Sequence, residues 1–375
     1  MSRNRTKWTA GWLCVALAAV AVGASASSSG ANTATSASTS TCIKASTSAL
    51  SQAERPVKLT VPTQAVPMHK LAGKSVWFIA TSESIPLVAS ISQGFTAAAK
   101  AAGLKPTIYD AKGTVSGDNE GLSEAVGQHA SAIVLQAISP SLVGGPLAAA
   151  KKAHIPVIDA LNGDPSDPVQ AGIRTHLSFD TRGNGKVMAD YILANSKCNA
   201  HIGVFTASVF QSITEIAAGI KQEMTRLCPS CSDLEQQIDP ATLATSVGPL
   251  TQTVLERNPN INYMVATFDG LATYMVPAIQ AVGSKVKVVG HDGVQENLQF
   301  IKKGQVQVAD YAFPPNPSIG WTEIDQLGRL MAGMARAPQD QIPAQLITKS
   351  NYSASAFPNY VNYQHVYEKL WGIGG

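Results

Sequence analysis

Two of the cysteines form a C-x-x-C motif, the residue pattern in this chain with the most obvious chemistry. Cys228 and Cys231 enclose a Pro-Ser pair, the spacing of dithiol redox motifs. A redox motif opens a helix that follows a strand, because the helix dipole lowers the thiol pKa. Here the motif follows a helical pattern at 211–227, so structural disulfides are the preferred interpretation and redox chemistry is the alternative. Zinc binding needs a second such pair or matched histidines.

The positions of the cysteines suggest how they pair. Cys198 precedes a predicted strand at 201–206, and the next helix returns to the same sheet edge before Cys228 and Cys231. That return can bring Cys198 within the Cα separation of about 4.4–6.8 Å that a disulfide requires. We predict that Cys198 pairs with Cys228 or Cys231, and that Cys42 takes the remaining one. Four of the five cysteines lie beyond the N-terminal segment that we predict to be removed on export, and an even number in an oxidising compartment fits this disulfide framework.

A search for catalytic motifs finds no specific one. The chain has no G-x-S-x-G elbow, no H-E-x-x-H sequence and no phosphate-binding P-loop. Its seven histidines are scattered, with no pair at helical spacing. Gly183 and Gly185 form an isolated G-x-G, which is weak evidence for a dinucleotide site. We therefore predict a protein that is not an enzyme and uses no cofactor and no metal; a secreted two-domain α/β enzyme is the alternative.

The charge balance argues against a nucleic-acid partner. The chain has 28 basic and 25 acidic residues among 375, with 45% hydrophobic and 14% charged residues. Arg3, Arg5 and Lys7 lie at the extreme N-terminus, and without these three the charges balance at 25 each. A near-neutral chain without a basic cluster lacks the electrostatic footprint that phosphate backbones require. The length and apolar share predict a globular protein of about two domains.

The N-terminus has the three parts of a secretory signal. The same basic residues precede an apolar run at 13–22, and small residues at 24–26 fit a cleavage site. The run is too short to span a bilayer, so we predict a signal peptide at 1–26 in preference to a membrane anchor, and a secreted, extracytoplasmic protein. Residues 27–72 begin with a Ser, Thr and Ala tract and are predicted to form a flexible leader. No later stretch has 18 uninterrupted apolar residues, so no other membrane span is predicted.

Short apolar runs alternate with helical patterns through the rest of the chain. Residues 75–81 have the composition of a buried strand, and 86–103 follow with apolar residues at helical spacing. Further strands are predicted at 107–110, 132–137, 156–161, 177–179, 201–206, 234–238, 263–268, 286–290, 306–311 and 345–348. Further helices are predicted at 118–129, 142–154, 185–196, 211–227, 247–257, 270–282, 296–302, 319–334 and 363–371. The alternation predicts an α/β fold with two parallel sheets whose strand ends face one cleft.

Six segments in order carry a family resemblance. They are GFTAAAKAAGLKPTIYDAKG, SAIVLQAISP, AAAKKAHIPVID, LSFDTRGNGKVMADYI, TFDGLATYMVPAIQAVG and VKVVGHDGVQENLQFIKKGQVQVA. With these segments the chain from about 74 to 333 resembles periplasmic sugar-binding proteins of the type I fold, near the ribose-binding proteins. The long leader and the CPSC motif resemble an actinobacterial branch of that family.

The resemblance implies two Rossmann-like lobes with parallel sheets that close on a ligand like a hinged clamp. Three hinge crossovers are expected, near 179–180, near 313 and near 343–344. The expected lobes are an N-terminal lobe of 73–179 plus 314–343 and a C-terminal lobe of 180–313 plus 344–375. The expected partners are a small-molecule ligand and the membrane permease of an ABC importer, and the protein is expected to be a monomer.

The resemblance also implies ligand contacts after the strands. Asp269, in an FDG sequence, matches a family aspartate that accepts hydrogen bonds from ligand hydroxyls; capping the next helix is its alternative role. Asp292, in GHDG, matches an aspartate that stabilises the turn and hinge. Four more residues are expected to flank the ligand, with core packing as their alternative role: Phe210, Gln211, Tyr311 and Phe313.

Two loops depart from the sugar-binding pattern. The loop after the first strand lacks the asparagine and aromatic pair that sandwich a sugar ring, and the loop after the PVID strand lacks an Asp-Arg pair. The ligand contacts expected there are Ser82, Ser84, Leu87, Val88, Leu161 and Asn162. Thr214 also stands where the family often has Arg. A free sugar in such a cleft leaves hydroxyls unmatched at about 1–3 kcal/mol each.

These departures decide the predicted function. We predict a protein that delivers a small organic or sugar-like solute, less polar than ribose, to an ABC importer. A ligand-sensing protein that docks on a membrane receptor is the alternative.

Overall fold

The computed structural model describes residues 29–337, 341–353, 357 and 360–373, with side chains from residue 38 onward. The predicted signal peptide at 1–26 lies outside the described residues. Residues Thr39–Gly375 form one compact unit, and the first described element is helix α1 (Ser29–Ala53). Across the described part of the chain, no helix combines the length and the apolar character of a membrane span.

The first sheet has five described strands, all parallel, in the order β2-β1-β3-β4-β5. They are β1 (Ser75–Ala80), β2 (Lys105–Asp110), β3 (Ala132–Gln136), β4 (Val157–Ala160) and β5 (Ile173–Leu177). The connecting helices are α2 (Pro86–Ala101), α3 (Val115–Gly127) and α4 (Gly144–Lys152). Val76 and Phe78 join one buried cluster, and Trp77 and Ile79 join the cluster beneath α3 and α4. Both faces of the sheet are therefore apolar, as a parallel sheet covered on both sides requires.

The second sheet has six described strands in the order β11-β10-β9-β8-β6-β7, and β11 is antiparallel to β10. They are β6 (His201–Thr206), β7 (Ser232–Gln237), β8 (Tyr263–Ala266), β9 (Lys287–Asp292), β10 (Gln307–Ala312) and β11 (Gln345–Thr348). Its helices are α5 (Thr181–Ser196), α6 (Gln211–Leu227), α7 (Leu243–Arg257), α8 (Asp269–Ala281) and α9 (Gln295–Lys302). Parallel βα units in two lobes confirm the predicted fold class.

The chain passes between the sheets after β5 and after β10, and again on the way to β11. Helix α10 (Pro317–Met331) follows β10 but packs against α2 of the first lobe. The packing is close because Gly320 lies directly against the backbone of Phe95, where a Cβ atom would come within 2.2 Å of the Phe95 nitrogen. Near the hinge, the Ile342 amide donates to the Ser178 carbonyl at 2.6 Å. These segments join the two lobes.

The C-terminal helix differs in position from the sequence-based lobe assignment. Residues 344–375 are expected in the C-terminal lobe, but α11 (Tyr363–Trp371) packs on α10 of the first lobe. The Trp321 and Trp371 rings stack at 5.3 Å between centroids, and Trp371 Nε1 donates to Asp325 Oδ1 at 2.9 Å. Aromatic burial on α10 therefore decides where this helix lies.

The leader also differs from its predicted form. Residues 27–72 are predicted to be flexible, but α1 covers 29–53 and its residues Cys42 and Leu50 are buried. Further along, Met68 packs on α10 beside Gly328, and Arg329 donates to the Gln64 carbonyl at 2.8 Å. Apolar side chains and a covalent anchor hold this segment, features that its Ser-rich start does not indicate.

The disulfides join Cys42 to Cys198 and Cys228 to Cys231, with Cα separations of 6.4 and 5.3 Å. All four candidate cysteines are thus paired, but the prediction that Cys198 pairs with Cys228 or Cys231 is wrong. Topology does bring them close, since Cys228 Sγ lies 3.2 Å from the Cys198 carbonyl oxygen. The turn after α6 lets the C-x-x-C cysteines meet each other, and α1 supplies the partner for Cys198.

Candidate ligand-binding cleft

Both sheets direct the carboxyl ends of their strands toward one cleft, and residues at or beyond those ends line it. The first lobe contributes Ile85, Leu87, Val88, Ala137 and Leu161. The second lobe and the hinge contribute Phe179, Phe210, Ser212, Ile213, Phe268, Asp292 and Phe313. The space between them is about 40 Å³, room for a few water molecules at most. The two walls therefore lie too close together for a molecule the size of a sugar to fit between them.

Three cleft residues at strand ends have positive φ angles that L-amino acids rarely adopt. The values are 55° for Ala137, 57° for Leu161 and 123° for Asp292. Each such conformation costs on the order of 1–2 kcal/mol and persists where the surroundings enforce it. Here backbone bonds to neighbouring strands enforce two of them: Ala137 donates to Ala160 at 2.8 Å, and Leu161 donates to Leu177 at 2.9 Å.

Phenylalanine rings form the C-terminal and hinge side of the cleft. The Phe179 and Phe313 centroids lie 4.8 Å apart, edge to face, and those of Phe210 and Phe268 lie 6.2 Å apart at nearly a right angle. Phe210 and Phe268 occupy the N-cap positions of α6 and α8 with extended backbone. The start of each helix therefore holds a ring at the cleft, and edge-to-face contacts stabilise the set.

Asp292 is the one charged residue that lines the cleft. Its Oδ2 accepts from the Asp269 amide at 3.1 Å, and its Oδ1 lies 2.9 Å from His291 Nδ1. The Nε2 atom of His291 lies 2.9 Å from the Asn184 side-chain amide. An amide N–H that donates to Nε2 leaves the proton on Nδ1, where it bonds to Asp292. Burial raises the pKa of Asp292, and the interaction with His291 opposes that rise.

Asp269, the predicted ligand-binding carboxylate, is fully buried behind the cleft wall. Its Oδ2 accepts from the Val294 amide at 2.8 Å, and its Oδ1 lies 3.3 Å from Gln307 Nε2. Gln307 also bonds to Asp310, whose other oxygen accepts from Gly293 at 2.9 Å. Burial and the nearby carboxyl of Asp310 raise the pKa of Asp269 well above its usual range. This network fixes the turn after β9, and the N-cap of α8 is Phe268.

The other predicted contacts divide between the cleft and its surroundings. The ones at the cleft are Leu87, Val88, Leu161, Phe210 and Phe313. Ser82 and Ser84 lie in the loop before α2, where their hydroxyls bond to each other at 2.8 Å. Asn162 Nδ2 lies 3.5 Å from Asp159 Oδ2, under the first sheet. These three residues are therefore not among those that line the cleft.

Several cleft residues were missed by reasoning from the sequence. They are Ile85, Ala137, Phe179, Ser212, Ile213 and Phe268. Phe268 was included in a strand predicted at 263–268, but β8 ends at Ala266 and Phe268 caps the next helix. A strand boundary two residues earlier would have placed Phe268 at the cleft and Asp269 inside the helix.

Gln211 takes part in polar contacts between the lobes. The loop after β4 brings Asp167 of the first lobe to the start of the second, where Gln211 Nε2 donates to Asp167 Oδ2 at 3.0 Å. Arg182 donates to Glu215 at 3.0 Å and lies 3.5 Å from Asp167. Thr181 donates to Asp164 at 3.1 Å. These buried and part-buried contacts bridge the two lobes beside the apolar cleft.

Tyr311 lines a different cavity, of about 620 Å³, on the hinge side. Its walls are the leader at Lys58 and Leu59, the crossover segments and the C-terminal Tyr367. The three strained residues at the strand ends are not among the residues that line this cavity. The cleft between the strand ends, where both lobes meet, is therefore the candidate binding site.

Comparisons with known proteins agree with this geometry. Residues 76–334 match the family model described as the periplasmic binding protein domain. The ribose import binding protein of Haemophilus influenzae is 23% identical over 226 residues, which are 59% of this chain and 74% of that protein.

Solved structures share the fold. An ABC sugar transporter subunit from Rhodobacter sphaeroides has a TM-score of 0.66 at 20% identity, covering 75% of this chain and 100% of that one. The 5-methylthioribose transporter solute binding protein from Thermotoga lettingae has a TM-score of 0.68 at 15% identity, covering 84% of this chain and 95% of that one. The chain therefore belongs to the periplasmic binding protein domain family.

Proposed function

We propose that this protein is an exported solute-binding protein that captures a small organic solute between its lobes and presents it to the permease of an ABC importer. Membership of the periplasmic binding protein domain family supports this role. The observation that carries it is the cleft itself, whose walls come from both lobes and close to about 40 Å³. A solute that contacts both walls stabilises the closed form over the open one, and a permease can recognise that difference.

Binding without chemical conversion fits the cleft better than catalysis does. The twelve residues that line it include one ionisable side chain, Asp292. General acid–base catalysis or an activated nucleophile needs at least two cooperating groups within hydrogen-bond reach of the substrate. His291, behind the wall, is already bonded to Asp292 and Asn184.

The solute is less polar than a free pentose or hexose. Asp292 and Ser212 are the polar side chains on the lining, and the rest of the wall is aliphatic or aromatic. A free sugar has four or more hydroxyls, and each one buried without a partner costs about 1–3 kcal/mol. Apolar solute surface, in contrast, gains about 25 cal/mol for each Å² buried.

A thermal-shift screen of the mature protein tests this function. We expect an apolar-bodied solute to raise the unfolding temperature, and common pentoses and hexoses to have little effect. Micromolar binding of an unmodified sugar would restore a plain sugar-binding role, and conversion of the bound solute to a product would favour an enzyme. Mass spectrometry of whatever co-purifies with the protein identifies the natural ligand directly.

Export and oligomeric state have their own test. A signal peptide removed after Ala26 leaves a mature chain that begins near Ser27. Intact-mass analysis of protein from outside the cytoplasm should give that mass, and light scattering should give a monomer. A full-length chain that still carries Met1 would argue for a membrane anchor.

A further inference from the structure

The cleft has an uneven charge: it contains a carboxylate and aromatic rings but no basic residue. Building on the proposed solute-binding function, we infer that the solute is a small organic cation. Its ammonium group binds at Asp292, and its apolar body lies between the phenylalanine rings and the aliphatic wall of the first lobe.

The first argument is charge. No Lys or Arg is among the twelve residues that line the cleft. Behind Asp292 lie two more fully buried carboxyl groups, Asp269 and Asp310. Within the described residues, no Lys or Arg forms an ion pair with any of the three. The basic group nearby, the imidazole of His291, bonds to Asp292 from behind the cleft wall. A cationic solute would therefore meet a carboxyl group and no competing cation on the lining itself.

The second argument is the hydrogen-bonding capacity of Asp292. Each carboxylate oxygen has two lone pairs, and the protein supplies one close donor to each, the Asp269 amide and the His291 ring. Both bonds hold the carboxylate plane in one orientation. One lone pair on each oxygen is left for a solute N–H donor, and charge-assisted bonds of this kind are the strongest available to a carboxylate.

The third argument is the aromatic wall. Phe179, Phe210, Phe268 and Phe313 lie on the cleft with His291 behind Phe313, at 4.8 Å between ring centroids. Ring faces carry negative potential, so they attract a cation within about 6 Å of the centroid. The same rings offer a sugar no partner for its hydroxyls. An anionic solute would meet Asp292 at close range with no compensating base.

Isothermal titration of the mature protein with three matched probes tests the inference. The probes are 2-phenylethylamine, its neutral isostere 2-phenylethanol and the anion phenylacetate, with 3-methylbutylamine and 3-methylbutan-1-ol as the aliphatic pair. We expect each amine to bind at least tenfold more tightly than its alcohol, and phenylacetate not to bind. This ranking uses the unaltered protein, so it does not depend on how a variant folds.

An Asp292→Asn variant locates the effect. It keeps the size of the side chain and removes the charge, so the amine should lose ten- to a hundredfold in affinity while the alcohol changes by less than threefold. Asp233→Asn, on the exposed edge strand β7, is the matched control and should change neither.

The outcomes separate this inference from the function on which it rests. If an alcohol or a neutral sugar binds as tightly as the best amine, the cation inference is wrong and solute binding stands. If the amine preference survives in Asp292→Asn, the inference is wrong about the site. If no probe and no sugar binds to folded protein, the proposed function fails as well.

Discussion

Two aspartates near the ends of central strands, one in each lobe, have opposite surroundings. Asp159, on β4, is 5% exposed; its Oδ1 has no hydrogen-bond partner within the described residues, and its Oδ2 lies 3.5 Å from Asn162 Nδ2. Asp292, on β9, is 2% exposed but has a close donor on each oxygen. Burial raises the pKa of both carboxyls, to about 7 at Asp159, whereas at Asp292 the close donors oppose that rise.

The two lobes accordingly present different surfaces to the cleft. The Asp159 side chain faces the α3 and α4 side of the first sheet, because β4 alternates and Val157 joins that cluster. The first lobe therefore offers the cleft an apolar wall that carries no charge. The second lobe places its supported carboxylate, Asp292, on the cleft. Under the proposed function, we expect the second lobe to set specificity for the solute and the first lobe to contribute burial.

The Asp159→Asn substitution should have the largest effect on the free energy of unfolding, and it should stabilise the protein. Burial raises the pKa of Asp159 to about 7, from 3.8. Because the pKa of Asp159 is higher in the folded state than in the unfolded state, the folded protein binds this proton more tightly. The stability that this proton contributes is fully present below pH 3.8 and is lost as the pH rises through about 7. Between pH 4.5 and pH 8, the free energy of unfolding of Asp159→Asn should therefore rise by roughly 2–4 kcal/mol relative to that of the wild type.

Urea unfolding at both pH values measures this difference. Asp233→Asn, an acid-to-amide change at an exposed site, should show no such pH dependence. A gap between Asp159→Asn and wild type that stays constant with pH would mean that Asp159 is ionised in the folded protein.

The corresponding change in the second lobe should have the opposite sign. Asp292→Ala removes the acceptor for the Asp269 amide and the partner of His291 Nδ1, both of them buried. Unmet buried donors cost about 1–3 kcal/mol, so urea unfolding at pH 8 should find the variant less stable by that amount. Asp292→Asn keeps one acceptor oxygen and should lose less. A gain in stability for Asp292→Ala at pH 8 would erase the distinction between the two carboxyls.

Most of the fold could be predicted from the sequence because the helices and buried strands are strongly patterned. The predicted helix at 211–227 coincides with α6, and the predicted strand at 201–206 with β6. β5 was predicted at 177–179 but lies at Ile173–Leu177, because Arg174 and its polar neighbours conceal the apolar alternation. Edge strands and strands with polar residues lack the continuous apolar run that identifies a central strand.

The site and the disulfides depend on distances in the folded protein, which the pattern of apolar and polar residues in the sequence does not give. Phe268 and Asp269 are adjacent, and a boundary error of two residues exchanges their roles at the cleft. The Cys42–Cys198 bond joins residues 156 positions apart and depends on the path of the leader. No hydrophobic periodicity in the sequence indicates that path. The loops after the strands, in contrast, could be identified, since strand ends of parallel sheets are where ligands bind.

A third prediction tests the apolar wall of the first lobe. Leu161→Ala removes aliphatic surface from the cleft without changing its charge. Leucine has three more carbon groups than alanine, each worth about 0.8 kcal/mol when buried against the solute, so affinity should fall by up to about fiftyfold for every probe. The amine-to-alcohol ratio should stay constant in calorimetry. A change in that ratio would show that the first lobe also helps to distinguish a cationic solute from a neutral one.

The smallest expected effect concerns the polar bridge between the lobes. Gln211→Ala removes the amide that donates to Asp167 at 3.0 Å and to Glu215 at 3.1 Å. Arg182, the cation of this group, has 43% of its side chain exposed, and half-exposed contacts are worth about 0–1 kcal/mol. Removing the Gln211 bonds should shift the unliganded protein toward the open form without weakening the lobes themselves. Small-angle X-ray scattering should record a slightly larger radius of gyration for Gln211→Ala, with an unfolding midpoint within error of wild type. If the radius of gyration does not change and the affinity falls tenfold or more, Gln211 acts as a direct ligand contact, as its position after β6 predicts, and not as part of a bridge that favours closure.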